Sequence, residues 1–111
     1  MRHALLALLL AVTAAGCGRG DRKVCEQACR NYYTLAFWNK WDPQINAEPE
    51  AERAKLRQYK LSELEAGLAQ GVDQCVESCT RANNDDQYKC MAEAKDWAKA
   101  HACAETEEEA K

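Results

Sequence analysis

The sequence predicts a small all-α protein, a disulfide-stapled helical hairpin or three-helix domain. Apolar residues recur at three- and four-residue steps in three segments, which is the period of a helix that packs one face. Alternation of apolar and polar residues, the mark of a half-buried strand, is absent, and alanine, glutamate, lysine and leucine dominate. Two pairs of cysteines are spaced four residues apart, which places each pair on one helix face.

The first helix is predicted from Arg22 to Trp38. The apolar positions that share its period are Val24, Cys25, Ala28, Cys29, Tyr32, Leu35 and Ala36. A loop is expected over residues 39–45, because Pro43 disfavours helical geometry at the preceding Asp42.

The second helix is predicted to begin between Ala47 and Glu50 and to run to about Arg81, with Pro49 tolerated in its first turn. Its apolar stripe consists of Leu61, Leu64, Leu68, Val72, Cys75 and Cys79. The two cysteines continue the apolar stripe, so they are expected to face a partner helix. Gly67 and Gly71 each weaken the helix by up to about 1 kcal/mol relative to alanine, and they permit a bend or a close helix approach.

The third segment is predicted from Gln87 to about Ala104. It follows a turn over residues 83–86, in which Asp85 or Asp86 is expected to be the N-cap. The remaining residues, 105–111, form an acidic tail that is expected to fray, because carboxylates at a helix C-terminus oppose the macrodipole.

The spacing of the first four cysteines favours a doubly bridged hairpin. If the first two helices lie antiparallel, the inner pair Cys29–Cys75 and the outer pair Cys25–Cys79 can both form. This pattern resembles the twin C-x3-C helical hairpins of small exported and mitochondrial intermembrane-space proteins. The resemblance covers the cysteine positions alone.

The twin arrangement leaves Cys90 to pair with Cys103. On one unbroken helix these residues would lie about 20 Å apart, whereas a disulfide needs a Cα–Cα distance of about 4.4–6.8 Å. The pairing therefore requires a break near Lys95 and Asp96, with Asp96 capping a last short helix. A rival connectivity pairs Cys79 with Cys90 across the preceding turn, and Cys75 and Cys103 then pair with Cys25 and Cys29.

The N-terminus carries an export signal. Arg2 is followed by an apolar run over residues 4–12 and then by Thr13-Ala14-Ala15-Gly16-Cys17. The segment Ala14-Ala15-Gly16-Cys17 resembles the lipobox of bacterial prolipoprotein signal peptides. The resemblance implies that Cys17 receives a diacylglyceryl group and that residues 1–16 are removed. The alternative is an ordinary secretory signal cut near Ala15. The chain has seven cysteines, an odd number, and lipidation of Cys17 leaves an even set for disulfides.

The resemblance sets the expected organisation and location. Residues 1–16 are the signal peptide, 17–22 the lipidated cysteine and a short tether, 23–104 the helical domain and 105–111 the tail. Two or three acyl chains give stable anchoring, and the apolar run is shorter than the roughly 20 residues of a membrane span. Gly18 stands where aspartate favours inner-membrane retention in Gram-negative lipoproteins, which implies the periplasmic face of the outer membrane.

Charge and motifs exclude several functions. The formal net charge of −3 argues against nucleic-acid binding. Nucleophile-elbow, phosphate-loop and zinc-protease motifs are absent from the sequence. The carboxylate pairs Glu63/Glu65 and Asp85/Asp86 are expected to be solvated. We therefore predict a protein that is not an enzyme and needs no cofactor: an envelope interaction or scaffold module.

The tryptophans are the candidate partner-binding residues, since aromatic side chains dominate binding hot spots. Trp38, Trp41 and Trp97 either pack the core or contact an envelope protein. The alternative function is a periplasmic carrier of a small ligand, copper or zinc, with His101 and Cys103 as donors. Export favours disulfides over the free thiolates that such a metal site needs.

Overall fold

The structure, a computed structural model, describes residues 21–82 and 84–109. Within these ranges it contains four helices and no strand, which confirms the all-α fold. The helices are α1 (Arg22–Asn46), α2 (Glu50–Ala82), α3 (Asp85–Glu93) and α4 (Trp97–Glu109). The predictions for the signal peptide, for Cys17 and for the tether as far as residue 20 lie outside the described residues.

Helix α1 begins at a side-chain cap. The Asp21 carboxylate accepts hydrogen bonds from the backbone N–H groups of Lys23, at 2.8 Å, and Val24, at 3.4 Å. These two groups have no partner within the helix, so the cap compensates for both. The helix therefore starts at Arg22, within the last residues of the expected tether.

The loop expected over residues 39–45 is wrong, because α1 continues through it to Asn46. Pro43 lies in the last turn, where it removes one hydrogen bond to the carbonyl four residues earlier. Contacts with α2 offset that loss. Asp42 accepts a hydrogen bond from Arg57 at 2.5 Å, and Ile45 is only 1 % exposed. Tertiary contacts thus override the local preference of proline.

The chain reverses into α2 within three residues. The N–H of Ala47 donates to the Pro43 carbonyl at 3.2 Å, and the N–H of Glu48 donates to the Ile45 carbonyl at 3.1 Å. Pro49 stands directly before α2 rather than in its first turn, and its carbonyl accepts from Glu52 at 2.8 Å. The reversal sets α2 antiparallel to α1.

Two disulfides join the hairpin as the twin arrangement predicts. The Cα–Cα distance is 5.7 Å for Cys25–Cys79 and 5.8 Å for Cys29–Cys75. The same register continues above them. The Tyr33 ring lies against Gly71, and the Lys60 ammonium lies over the Trp41 ring. The register of the two antiparallel helices is therefore constant from the disulfides to the arm.

The third segment is broken, as the Cys90–Cys103 pairing requires. Helix α3 ends at Glu93, α4 begins at Trp97, and the Cys90 and Cys103 Cα atoms are 5.7 Å apart. Asp96 caps α4 by accepting from the N–H of Lys99 at 2.8 Å. The rival Cys79–Cys90 pairing is not formed.

Helices α3 and α4 pack on α1 and on each other. The Asn31 amide donates to the carbonyls of Met91 at 2.8 Å and Ala94 at 2.9 Å, so one side chain of α1 satisfies the C-terminal end of α3. The N-cap predicted at Asp85 or Asp86 is wrong: α3 begins at Asp85, and Asn84 precedes it. Both aspartates lie in the first turn, where their negative charges interact favourably with the helix dipole.

The core lies at the disulfide end of the hairpin. One cluster contains Cys25, Cys29, Val72, Val76 and Cys79, and a second contains Ala28, Met91 and Cys103. Two stripe predictions differ from this core. Val76 is buried although the predicted stripe omits it, and Leu61 is 42 % exposed. Leu61 faces away from α1 because the packed stripe passes through Leu64.

Two parts of the molecule follow from this packing. The base consists of residues 22–32 and 72–82 with α3 and α4, and it holds the three disulfides. The arm consists of residues 33–71, in which α1 and α2 pair with each other and end in the reversal over residues 47–49. The arm is two helices thick.

The two arm glycines should respond oppositely to alanine. A Cβ at Gly67 meets nothing within 4 Å, so Gly67→Ala is expected to raise the free energy of unfolding by about 0.5–1 kcal/mol. A Cβ at Gly71 would lie 3.2 Å from the Tyr33 ring, so the ring must move in Gly71→Ala. The cost of moving the ring should cancel the gain in the free energy of unfolding that alanine gives at Gly67. Urea denaturation followed by far-ultraviolet dichroism measures both. Equal gains at the two sites would contradict the Tyr33–Gly71 contact.

Candidate interaction surface on the arm

Three aromatic residues cluster on α1 within the arm. The Phe37 ring centroid is 5.1 Å from that of Trp38 in an edge-to-face arrangement and 6.3 Å from that of Trp41. Such pairs contribute roughly 0.5–1.5 kcal/mol beyond the area that they bury. All three rings are half-buried, so they pack the arm and still reach its surface.

Cations of α2 cover the two tryptophans. The Arg57 guanidinium carbon lies 4.7 Å from the Trp38 ring centroid, and the Lys60 ammonium lies 3.4 Å from the Trp41 ring centroid. The Lys60 side chain is only 11 % exposed. One face of each indole is therefore used within the hairpin, through cation–π contacts that join α1 to α2.

Trp97 lies apart from the other two tryptophans. It packs at the top of the base, with ring centroids 5.0 Å from Tyr32 and 5.1 Å from His101. Burial raises the pKa of the Tyr32 hydroxyl, with smaller contributions from Tyr33 and Glu105. The structure thus brings Trp38 and Trp41 together and places Trp97 in a separate aromatic contact.

An apolar groove lies between α1 and α2 in the arm. It has a volume of about 450 Å³. Its lining residues are Tyr33, Ala36, Phe37 and Lys40 of α1 and Glu63, Leu64, Gly67 and Leu68 of α2. Tyr33 is 40 % exposed. The apolar pattern of the two helices did not predict this groove, and Gly67, which has no side chain to fill it, was the available signal.

The groove carries opposite charges on its two walls. Lys40 stands on α1, and Glu63 on α2 accepts a hydrogen bond from Lys60 at 2.8 Å. That hydrogen bond lowers the pKa of the Glu63 carboxyl against an opposing effect of desolvation, with further lowering by the Lys60 charge and the Tyr59 hydroxyl. Glu63 is therefore an anion throughout the neutral pH range.

A second concavity lies near the tip of the arm. Its volume is about 390 Å³, and its lining residues are Glu48, Glu52, Lys55, Leu56 and Tyr59. All of its lining residues belong to the reversal and the first turns of α2. Tyr59 is 61 % exposed and is the most exposed large apolar side chain in the described part of the chain. The concavity is more polar than the arm groove, and only one helix frames it.

The candidate metal donors, His101 and Cys103, already have other partners within the chain. All six cysteines of the helical domain are in disulfides, and a disulfide sulfur is not the thiolate that binds zinc or copper. His101 Nδ1 lies 3.2 Å from a Glu105 carboxylate oxygen. Over residues 21–82 and 84–105, no three histidine, cysteine, aspartate or glutamate side chains converge to hold a metal ion.

None of α1 to α4 combines the length and the apolar character that a membrane span requires.

No family model, curated protein sequence or solved structure matches the chain significantly.

Proposed function

We propose that this chain is a non-catalytic, lipid-anchored helical module of the bacterial cell envelope that binds or scaffolds other envelope components. The observation that carries the proposal is the arm. It presents an open apolar groove between α1 and α2, the two helices that two disulfides join in the base. Aromatic residues next to such a groove are the residue types that contribute most to binding energy at protein interfaces.

The position of the arm relative to Cys17 supports an outward-facing role. Helix α1 begins five residues after Cys17, and five extended residues span at most about 17 Å. A lipid on Cys17 would therefore hold the base next to the membrane. The 25 residues of α1 rise about 37 Å, so the arm would project into the aqueous space, where soluble or membrane-bound partners can reach it.

The disulfides support export. Three disulfides in so small a domain are typical of proteins in oxidising compartments such as the periplasm. With glycine at position 18, the proposed location is the periplasmic face of the outer membrane, and the anchor is the acylated Cys17.

The anchoring proposal predicts the behaviour of Cys17→Ala. In a Gram-negative host, the variant is expected to lose metabolic labelling by palmitate and to accumulate as the unprocessed precursor. The reason is that both acylation and cleavage by the lipoprotein pathway need the cysteine thiol. Fractionation and a gel-shift comparison with the wild-type chain measure both effects.

The matched control is Gly18→Ala, which alters the neighbouring residue and leaves the thiol in place. It is expected to be labelled and processed like the wild-type chain. If Cys17→Ala still matures normally and is recovered with membranes, the anchoring proposal is wrong. Normal maturation of a soluble product would instead indicate an ordinary secretory signal cut near Ala15.

A further inference from the structure

We infer that the arm groove is a self-association site, in which a second copy of this chain packs its own arm to form a four-helix bundle. The two copies are related by a two-fold axis that runs along the groove. The inference deepens the proposed function, and it rests on that function only for the gain in effective concentration that anchoring in one membrane would give.

The arm lacks the cover that the base has. In the base, α3 and α4 pack against α1 at Ala28, Asn31 and Tyr32. Phe37 is nine residues, about two and a half helical turns, beyond Ala28, so it lies on the opposite side of α1. The groove around Phe37 is therefore left open by the two C-terminal helices and is accessible along its length.

The charges on the groove walls are self-complementary. A two-fold axis along the groove sets the α1 wall of one copy beside the α2 wall of the other. Lys40 of each copy then faces Glu63 of the other, so the pair forms twice. Within the described part of the chain, Lys40 makes no ion pair, and its ammonium lies 5.1 Å from the Trp41 ring centroid. Glu63 already pairs with Lys60 through its Oε2 atom at 2.8 Å, so the Lys40 of the other copy would join that pair.

The hairpin register puts the two charges at the same height. The disulfide register sets Cys29 level with Cys75, and eleven residues further along the two antiparallel helices Lys40 is level with Leu64, the neighbour of Glu63. Lys40 and Glu63 therefore share one level of the arm. A parallel arrangement about the two-fold axis preserves that level. It also keeps both bases, and hence both tethers, at one end of the dimer.

The size of the surface predicts a weak dimer. From Tyr33 to Ile45 the arm rises about 18 Å, and two helices side by side are about 20 Å wide, which gives roughly 400 Å² per copy. Stable interfaces bury about 800 Å² per partner. The free chains should therefore associate weakly. Anchoring in one membrane would favour the dimer by raising the effective concentration toward the millimolar range.

Charge reversal tests the pairing. The full chain is expressed in a bacterial host and purified in a non-ionic detergent, and its mass is measured by sedimentation equilibrium with the detergent density-matched. We expect the wild-type chain to dimerise at about 100 μM. Lys40→Glu and Glu63→Lys alone should each weaken association by about tenfold or more, because each places like charges opposite one another twice.

The decisive sample is an equimolar mixture of the two variants under different affinity tags. In the mixed dimer both opposite-charge pairs are restored, so co-capture and the dimer mass should return to about the wild-type level. Glu65→Lys is the matched control, since it makes the same charge change on an exposed position of α2 outside the groove. It should leave association within about twofold of wild type.

Three outcomes would overturn the inference: a monomeric wild-type chain at several hundred micromolar, undiminished association of either single variant, or a mixture no better than its components. Far-ultraviolet dichroism establishes that each variant is folded. A failure of anchoring is distinguishable, because it alters labelling and processing of Cys17 and leaves association in detergent unchanged.

Discussion

Removal of both disulfides between α1 and α2 is expected to unfold most of the described helical structure near body temperature. The linked residues are separated by 54 and 46 positions, so either bond alone would stabilise the fold by about 4 kcal/mol in the chain-entropy model. The second bond lies inside the loop that the first closes, and it should add roughly 2–3 kcal/mol. The combined loss approaches the whole stability of a small domain, about 5–15 kcal/mol.

Alanine pairs separate the contributions of the three bonds. The variants are Cys25→Ala/Cys79→Ala, Cys29→Ala/Cys75→Ala, the combination of both, and Cys90→Ala/Cys103→Ala. Either hairpin pair alone should cost roughly 2–3 kcal/mol, since the remaining bond still closes the hairpin, and the combination should cost roughly 6–7 kcal/mol. Urea denaturation followed by far-ultraviolet dichroism measures each free energy of unfolding.

Ser78→Ala is the control for this series, because Ser78 is an exposed neighbour of Cys79 on the same helix. Its free energy of unfolding should stay within about 0.5 kcal/mol of the wild-type value. A combined variant that retains the wild-type helical signal and a cooperative transition would show that apolar packing alone holds α1 against α2.

Ile45→Ala is expected to lower the free energy of unfolding by about 2–4 kcal/mol. Ile45 is the largest fully buried side chain of the described residues, and it lies in the last turn of α1, beside the reversal into α2. Truncation removes buried methyl and methylene groups and leaves a cavity that the tight reversal cannot close. Urea denaturation of the variant measures the loss.

The neighbouring residue provides the comparison. Gln44 is exposed, so Gln44→Ala should change the free energy of unfolding by less than about 0.5 kcal/mol. If Ile45→Ala also costs less than about 1 kcal/mol, residues 39–46 do not pack as the structure places them. The expected loop in that segment would then be the better description.

The sequence by itself determined the helical class, because the spacing of apolar residues within each segment shows the period of a helix. It favoured the twin cysteine pairing and the break before α4, and the structure decided between them and the rival Cys79–Cys90 pairing. The favoured pairing was argued from reach. Cys25 and Cys29 share a helix face, and Cys90 can meet Cys103 only if the helix between them breaks. Asp96 marked the position of the break because a helix N-terminus needs a side-chain acceptor.

The tertiary structure alone decided how far α1 extends and what its aromatic residues do. Pro43 predicts a loop from local geometry, but Asp42, bound to Arg57, and the buried Ile45 keep the segment helical. Likewise, the sequence pattern gives the three tryptophans the same expected role. The structure distinguishes them, because cations of α2 lie over Trp38 and Trp41, whereas Trp97 contacts His101 within α4. These outcomes depend on residues distant along the chain, whose contact energies exceed the local preferences that a sequence pattern records.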